Sequence, residues 1–244
     1  MSRSSITRLG FLVPPGNPTT EPEMCRLAPK GVTVHFTRMV AKGGVPGAHD
    51  GQEERNRSQI ANLDANIELL AMVKPSVIVM AHTASSYTLG REGEAALVKR
   101  LTDKFGIPFI TAFGSVIAAL GQLGAKRVAL GTPYAAEATL RSKAHLEAHG
   151  LQVVSWNSLE DVTNIYDETP ERALGLARGA DSPEAQAVFL SGVGMPTLDV
   201  LDAAERELGK PAISSAAAMM WNALCVAGVT TPVEGYGRLL SSAR

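Results

Sequence analysis

The chain has 244 residues, of which 45% are hydrophobic and 19% charged, and its formal net charge is -1. This composition predicts one large or two small globular domains and excludes a disordered chain. The near-zero charge, without a basic cluster, argues against a nucleic-acid partner. No apolar run approaches the roughly 20 residues that span a bilayer, so no membrane partner is expected.

The N-terminal residues and the cysteines predict a cytoplasmic protein. Residues 1–5 run directly into a strand-like segment, without the apolar region of a signal peptide. Cys25 and Cys225 are far apart in sequence, and a reduced cytoplasmic setting is the better prior for such a pair. Both are interpreted as structural helix residues.

The first half of the chain alternates predicted strands and helices. The predicted strands are residues 9–13, 32–36, 77–80 and 109–110, and the predicted helices are 53–73 and 97–105. Segment 77–80 is wholly apolar, which is typical of a central parallel strand that is covered on both faces. Pro75 ends the preceding helix, because the residue before a proline disfavours the helical conformation.

The second half repeats this alternation. The predicted strands are 127–130, 153–154 and 188–190, and the predicted helices are 135–149 and 198–208. The pattern predicts an α/β fold of two pseudo-symmetric, flavodoxin-like units with parallel sheets and one site in the cleft between them. We place the first unit at residues 1–115 plus 214–244 and the second at 116–213.

Four loops rich in polar residues and glycine follow four of the predicted strands. They are loop one (14–23), loop two (81–87), loop three (131–134) and loop four (191–197). In open parallel sheets ligands bind at the carboxyl ends of the strands, so these loops are the candidate site. Each also has a simpler interpretation as a turn or a helix cap, such as a capping box with Thr20 and Glu23 in loop one.

Several segments together resemble the maleate isomerase and arylmalonate decarboxylase branch of the aspartate/glutamate racemase superfamily. The segments are residues 12–23, 31–35, 132–134, Asn164 within 160–165, 208–215 and Trp221. The resemblance runs nearly end to end. It implies that Asn17, Tyr134 and Asn164 bind a substrate carboxylate, that no cofactor takes part, and that the protein is a homo-oligomer acting on a small carboxylate.

The sequence departs from this family at its two catalytic positions. Family members that racemise or isomerise carry a cysteine after each central strand. Here His82 occupies the first position and Gly192 the second, while Cys25 and Cys225 match neither. The departure leaves no thiolate to add to a double bond and no base on the Gly192 face.

A single proton donor beside an oxyanion pocket remains compatible with the sequence. His82 is the predicted acid/base, because an ordinary imidazole with a pKa of about 6.5 transfers protons near neutrality. Thr83 and Tyr134 are predicted to act with it. Gly192, Ser85 and the N–H groups of Val193 and Gly194 are predicted to bind the carboxylate or an enediolate.

Three functions stay open at this point. The first is decarboxylation or isomerisation of a small carboxylic acid through an enolate. The second is hydrolysis of an amide, enamide or lactone, in which His82 activates water, Ser85 or Ser86. The third is non-catalytic binding of a carboxylate.

The remaining features predict no metal and one lid candidate. The five histidines form no ligand cluster of the usual kind. His145 and His149 lie four apart, but Leu146 replaces the glutamate of a His-Glu-x-x-His site, so both are predicted to face solvent. Residues 41–51 are either a lid over the site or an ordinary surface loop.

Overall fold

The structure is a computed structural model that describes residues 6–41 and 51–242. Within them, eight strands form two four-stranded sheets in which every neighbouring pair is parallel. The first sheet has the order β2-β1-β3-β4, and the second has the order β6-β5-β7-β8. The strands are β1 Thr7–Val13, β2 Val32–Arg38, β3 Val77–Met80, β4 Phe109–Thr111, β5 Arg127–Thr132, β6 Gln152–Ser158, β7 Ala187–Leu190 and β8 Ala212–Ser214.

Helices connect these strands, so the predicted α/β class is confirmed. They are α1 Thr20–Leu27, α2 Gln52–Ala61, α3 Leu63–Ala71, α4 Thr83–Phe105, α5 Ala112–Gln122, α6 Ala136–Ala148, α7 Pro170–Ala180, α8 Leu201–Leu208, α9 Ser215–Val226 and α10 Arg238–Ser241. Short 3-10 helices cover Ile165–Asp167 and Leu198–Val200. No helix of the described ranges is both long and apolar enough to cross a bilayer.

Two predicted helices differ from the observed ones. The predicted helix 53–73 is divided at Asn62, whose side-chain amide donates a hydrogen bond of 2.9 Å to the carbonyl of Val40. Helix α4 begins at Thr83, well before the predicted start at Leu97, and is kinked at Gly90, which has a φ of 67°. The stretch before Leu97 is rich in hydroxyl residues and glycine, so its apolar periodicity is too weak to indicate a helix.

One hydrophobic core connects the two sheets. The aromatic side chains of Phe11, Phe113 and Phe189 are fully buried in it. Helices α5 and α9 follow the last strand of each sheet and pack against each other. The two sheets are therefore joined through helices that occupy the same place in each half of the chain. The domain limits at residues 115 and 214 stay a prediction.

The sheet order determines where the four loops meet. The central pair of strands is β1 with β3 in the first sheet and β5 with β7 in the second. After the first strand of each pair, the chain adds its next strand on one side of it and the following strands on the other side, so the strand order reverses here. Loops one, two, three and four follow these four strands. A crevice at the carboxyl ends of such strands is the usual ligand position in open parallel sheets.

Truncation of the buried Phe189 to alanine is expected to lower the free energy of unfolding by about 3–5 kcal/mol, because it removes a ring from the shared core. Leu69→Ala is the control, since this side chain is 63% exposed and should change stability by less than about 0.5 kcal/mol. Urea denaturation measures both. Equal effects of the two substitutions would contradict this description of the core.

Candidate active site

Loop one is hydrogen-bonded to loop four across the two sheets. The fully buried Asn17 donates from Nδ2 to the carbonyl of Val193 at 3.2 Å, and Thr19 Oγ1 donates to the carbonyl of Gly194 at 2.8 Å. Asn17 Oδ1 accepts from the backbone N–H groups of Thr19 and Thr20 at 2.9 and 3.0 Å. One amide hydrogen of Asn17 is thus left for another acceptor.

Arg38 holds loop one in this position. Its guanidinium donates to the carbonyls of Pro14 and Asn17 at 3.2 and 2.6 Å and pairs with Glu21 at 2.6 Å. The predicted capping box is absent: Glu23 and Thr20 are both buried, and each has a side-chain oxygen without a hydrogen-bond partner among the described residues. Burial raises the pKa of Glu23 to about 8.

His82 lies between the end of β3 and the start of α4. Its Nδ1 is 2.8 Å from Oγ of the fully buried Ser85, which fixes the orientation of the ring. Within the described ranges Nε2 has no hydrogen-bond partner, so this nitrogen is free for a ligand. Because α4 begins with Thr83, a ligand at this point also faces a helix N-terminus, which favours anions.

The protonation state of His82 differs from the sequence-based expectation. Desolvation by burial lowers its pKa to about 4, not the ordinary value near 6.5. The prediction of an unperturbed imidazole is therefore wrong for the ligand-free protein. His82 is neutral at pH 7 and becomes an acid only if a negative charge binds beside it.

Tyr87, Tyr134 and Tyr166 lie close to one another and to loop four. Burial raises the pKa of Tyr134, with Tyr87, Thr83 and Tyr166 as its electrostatic neighbours, so its phenol stays protonated and can donate a hydrogen bond. The Tyr87 hydroxyl bonds to Ser142 Oγ at 2.8 Å and to Ser191 Oγ at 3.2 Å. Tyr87 therefore connects loop two to α6 and to loop four.

The two glycines of loop four are required by their surroundings. Gly192 and Gly194 have φ values of 109° and 117°, which side-chain-bearing residues rarely adopt. A Cβ on Gly192 would lie 2.9 Å from Cγ of Pro133, and a Cβ on Gly194 would lie 2.5 Å from Cε1 of Tyr166. The backbone of loop four thus approaches loop three and Tyr166 more closely than any side chain would permit.

The structure does not bring Asn164 to this cluster. Its side chain is exposed and serves its own 3-10 helix, donating to Asp167 at 3.0 Å and accepting from the N–H of Tyr166 at 3.2 Å. Its role in substrate binding stays a prediction. The ring of Tyr166 packs against Gly194 instead. Sequence analysis missed Tyr166, because an aromatic residue near a predicted asparagine ligand has no distinguishing pattern.

Other predicted residues also lie apart from His82. Ser86 donates to Glu94 at 2.7 Å, so its hydroxyl is engaged away from the His82–Ser85 pair. Cys25 is exposed on α1, and Cys225 is partly buried on α9. Most of the lid candidate, residues 42–50, lies outside the described ranges.

A cavity of about 290 Å3 adjoins loops two and three. Ala84, Tyr87, Tyr134, Glu53 and Asn56 are among the residues that line it. The exposed Arg141 of α6 also lines it and brings a cation to the cavity. Sequence analysis missed it because a charged helix residue ordinarily indicates a solvated face.

The prediction for the paired histidines is wrong. His145 is only 7% exposed, and its ring lies against Phe113 and Tyr87. One ligand atom each from Glu94, His145 and His149 lies within 4.8 Å of the other two, so a cluster with metal-ligand chemistry does exist. The residue that completes it, Glu94, is on a different helix and therefore left no local spacing in the sequence.

Comparison with known proteins gives a consistent result. The family model of arylmalonate decarboxylase matches residues 9–240. Maleate isomerase from Nocardia farcinica is 32% identical, with 96% of each chain covered. Arylmalonate decarboxylase from Bordetella bronchiseptica is 28% identical, with 98% of each chain covered.

The solved structures agree with the sequence relatives. The maleate isomerase Iso from Pseudomonas putida S16 superposes with a TM-score of 0.86 at 27% identity, covering 98% of this chain and 99% of that one. A mutant of the Nocardia farcinica maleate cis-trans isomerase, with a covalently bound succinylcysteine intermediate, has a TM-score of 0.83 at 27% identity. It covers 96% of this chain and 98% of its own.

Gly192→Ala is expected to lower the free energy of unfolding by about 1–2 kcal/mol or more, because a Cβ is strained at a positive φ and meets Pro133. Gly16→Ala in loop one is the matched control. A Cβ there meets no atom within 4 Å, and the expected change is about 0.5 kcal/mol or less. Urea denaturation compares the two; an equally tolerated Gly192→Ala would disprove the constraint on loop four.

The low pKa of His82 predicts a specific acid sensitivity. Because the folded pKa, about 4, lies below the unfolded value near 6.5, the unfolded chain binds more protons in between. The stabilisation by neutral His82 is present above pH 6.5 and is lost as the pH falls toward 4. Between pH 7.5 and 5 the wild type should lose about 2 kcal/mol more unfolding free energy than His82→Asn.

Urea denaturation of both proteins across this pH range makes the measurement. Identical pH dependence in the wild type and His82→Asn would show that His82 is not desolvated.

Proposed function

We propose a reaction for this chain from the premise that it belongs to the arylmalonate decarboxylase family. It is therefore a cofactor-independent enzyme of the isomerase or decarboxylase type. Within that class we propose that it decarboxylates a small dicarboxylic acid of the malonate type, with His82 as the proton donor. The observation that carries this proposal is the His82 ring, fixed through Nδ1 to Ser85, with Nε2 free.

The proton cycle follows from the pKa of His82. In the empty site the ring is neutral at pH 7. Two substrate carboxylates bring negative charge beside it, which raises its pKa and lets the ring take a proton from solvent. His82 thus becomes an acid only in the complex, where an acid is needed.

The chemical step needs this one proton and no further reactant. The bond between the α-carbon and one carboxylate breaks, its electron pair passes into an enediolate on the remaining carboxylate, and carbon dioxide leaves. The imidazolium then donates the Nε2 proton to the α-carbon. The products are carbon dioxide and a monocarboxylate, and His82 is neutral again.

The surrounding donors favour the enediolate. The phenol of Tyr134, the hydroxyl of Thr83, the remaining amide hydrogen of Asn17 and the N–H groups of Val193 and Gly194 are the proposed donors. Hydrogen bonds to an oxyanion are worth more in a closed site than in water, and a single donor contributes roughly 3–4 kcal/mol.

Isomerisation by a thiol is not proposed. The Nocardia farcinica relative forms a succinylcysteine, so its chemistry uses a cysteine sulfur. The two cysteines of this chain are on α1 and α9, and the loop positions after the central strands hold His82 and Gly192. One acid on one face is sufficient for decarboxylation.

A hydrolase is the second candidate, and the same hydrogen bond favours it. The 2.8 Å distance between His82 Nδ1 and Ser85 Oγ is the geometry in which a base activates a serine nucleophile. Ser85 would then attack an amide, enamide or lactone carbonyl, and the donors around Tyr134 would bind the tetrahedral oxyanion. The two candidates differ in whether Ser85 is indispensable.

The test uses wild type, His82→Asn and Ser85→Ala with a panel of malonates, maleate, amides and lactones, followed by NMR in deuterated water. For decarboxylation we expect release of carbon dioxide and one deuterium at the α-carbon. His82→Asn should lower kcat by about 100-fold or more, as expected for loss of an acid, while Ser85→Ala should lower it about tenfold or less.

The alternatives give distinct results. Hydrolytic products with Ser85→Ala inactive would establish the second candidate. Decarboxylation at an unchanged rate in His82→Asn would overturn the role of His82, and no turnover of any substrate would overturn the proposed function. Cytoplasmic localisation and a homo-oligomeric state stay predictions; light scattering of the same samples tests the latter.

A further inference from the structure

A buried cluster outside the four loops joins helix α4 to helix α6. It consists of Glu94 on α4, His145 on α6 and His149 just after the end of α6. The ligand atoms of the three residues lie within 4.8 Å of one another, and His145 Nε2 is 3.5 Å from Glu94 Oε2. On a tetrahedral zinc ion, ligand atoms lie about 3.3 Å apart, given bonds of about 2.0 Å.

His145 presents an unsatisfied nitrogen to this cluster. The residue is 93% buried, since 7% of its surface is exposed, and Nε2 has no hydrogen-bond partner among the described residues. Glu94 Oε2 lies 3.5 Å from this nitrogen, which is longer than an ordinary hydrogen bond, so a cation between the two atoms would satisfy both. The ring is also held in place by Phe113, whose centroid is 4.3 Å away, so it cannot easily turn toward another partner.

His149 is already oriented as a ligand. Its Nδ1 lies 2.9 Å from the carbonyl oxygen of His145 and donates to it, because a carbonyl can only accept. The lone pair is therefore on Nε2. A backbone carbonyl that fixes the tautomer of a histidine in this way is the usual outer partner of a metal-bound imidazole.

Glu94 is positioned for the same role. Ser86 and Thr111 both donate to Oε1, Ser86 at 2.7 Å, which leaves Oε2 directed at His145. The second carboxylate oxygen is therefore available to a cation in the cluster.

We propose that Glu94, His145 and His149 bind a zinc ion that fastens α4 to α6. Two imidazoles and one carboxylate are ligands that zinc accepts, and a water from outside completes the coordination. The route for this water is a surface cavity of about 300 Å3 that Glu94, His149 and Asn222 line. Glu94 lies in the part of α4 that follows the kink at Gly90, so the ion joins this part of the helix to α6 without touching the substrate.

The first measurement is the binding of Co2+, used as a visible probe for zinc, to chelator-treated full-length protein. One Co2+ per chain is expected, with visible absorption bands that an equimolar amount of Zn2+ removes. His149→Gln and Glu94→Gln should each weaken binding at least tenfold. His35→Gln is the control, because this histidine lies on β2, outside the cluster, and its ring is hydrogen-bonded to Thr33 at 3.0 Å.

Thermal denaturation with and without Zn2+ separates a metal site from a merely structural cluster. Zn2+ should raise the Tm of wild type and of His35→Gln and leave the Tm of the two ligand variants unchanged. Circular dichroism of the metal-free proteins checks that the two ligand variants fold. One folded ligand variant is sufficient for the comparison with wild type. Wild type without stoichiometric Co2+, or ligand variants that bind it as tightly as wild type, would overturn the proposal.

Discussion

The hydrogen bonds between loop one and the backbone of loop four hold the site together. Asn17 and Thr19 belong to the first sheet's side of the cleft and donate to the carbonyls of Val193 and Gly194 on the other. These donors fit only because Gly194 adopts a positive φ and carries no side chain against Asn17 and Tyr166. The relative position of His82, Tyr134 and the loop-four amides depends on this contact.

Sequence patterns predicted the framework because it rests on local rules. The run 77–80 is a strand in the structure with the predicted limits, since four apolar residues before a polar loop permit few alternatives. The repetition of the pattern predicted two parallel sheets for the same reason. The break at Asn62 was not predictable, because it depends on a carbonyl of Val40 that only the folded chain brings near.

The sequence indicated where the candidate site residues lie along the chain, but it did not indicate the contacts that set their chemical properties. Residues such as His82, Ser85 and Gly192 follow strand ends, and strand ends are visible in the sequence. The contacts that set their properties are distant in sequence: desolvation at His82, Tyr166 against Gly194, and Glu94 beside His145. A solvent-facing interpretation of His145 failed because α4 covers the helix face on which it lies.

The conformation of Gly192 also bears on how this site could be engineered. A serine or cysteine at this φ of 109° would press on Pro133, so a reactive side chain cannot be placed there unless loops three and four shift. A library that varies loop four for a changed activity therefore gains little at residue 192 and has more to gain at Val193 and Met195, where the backbone already carries side chains.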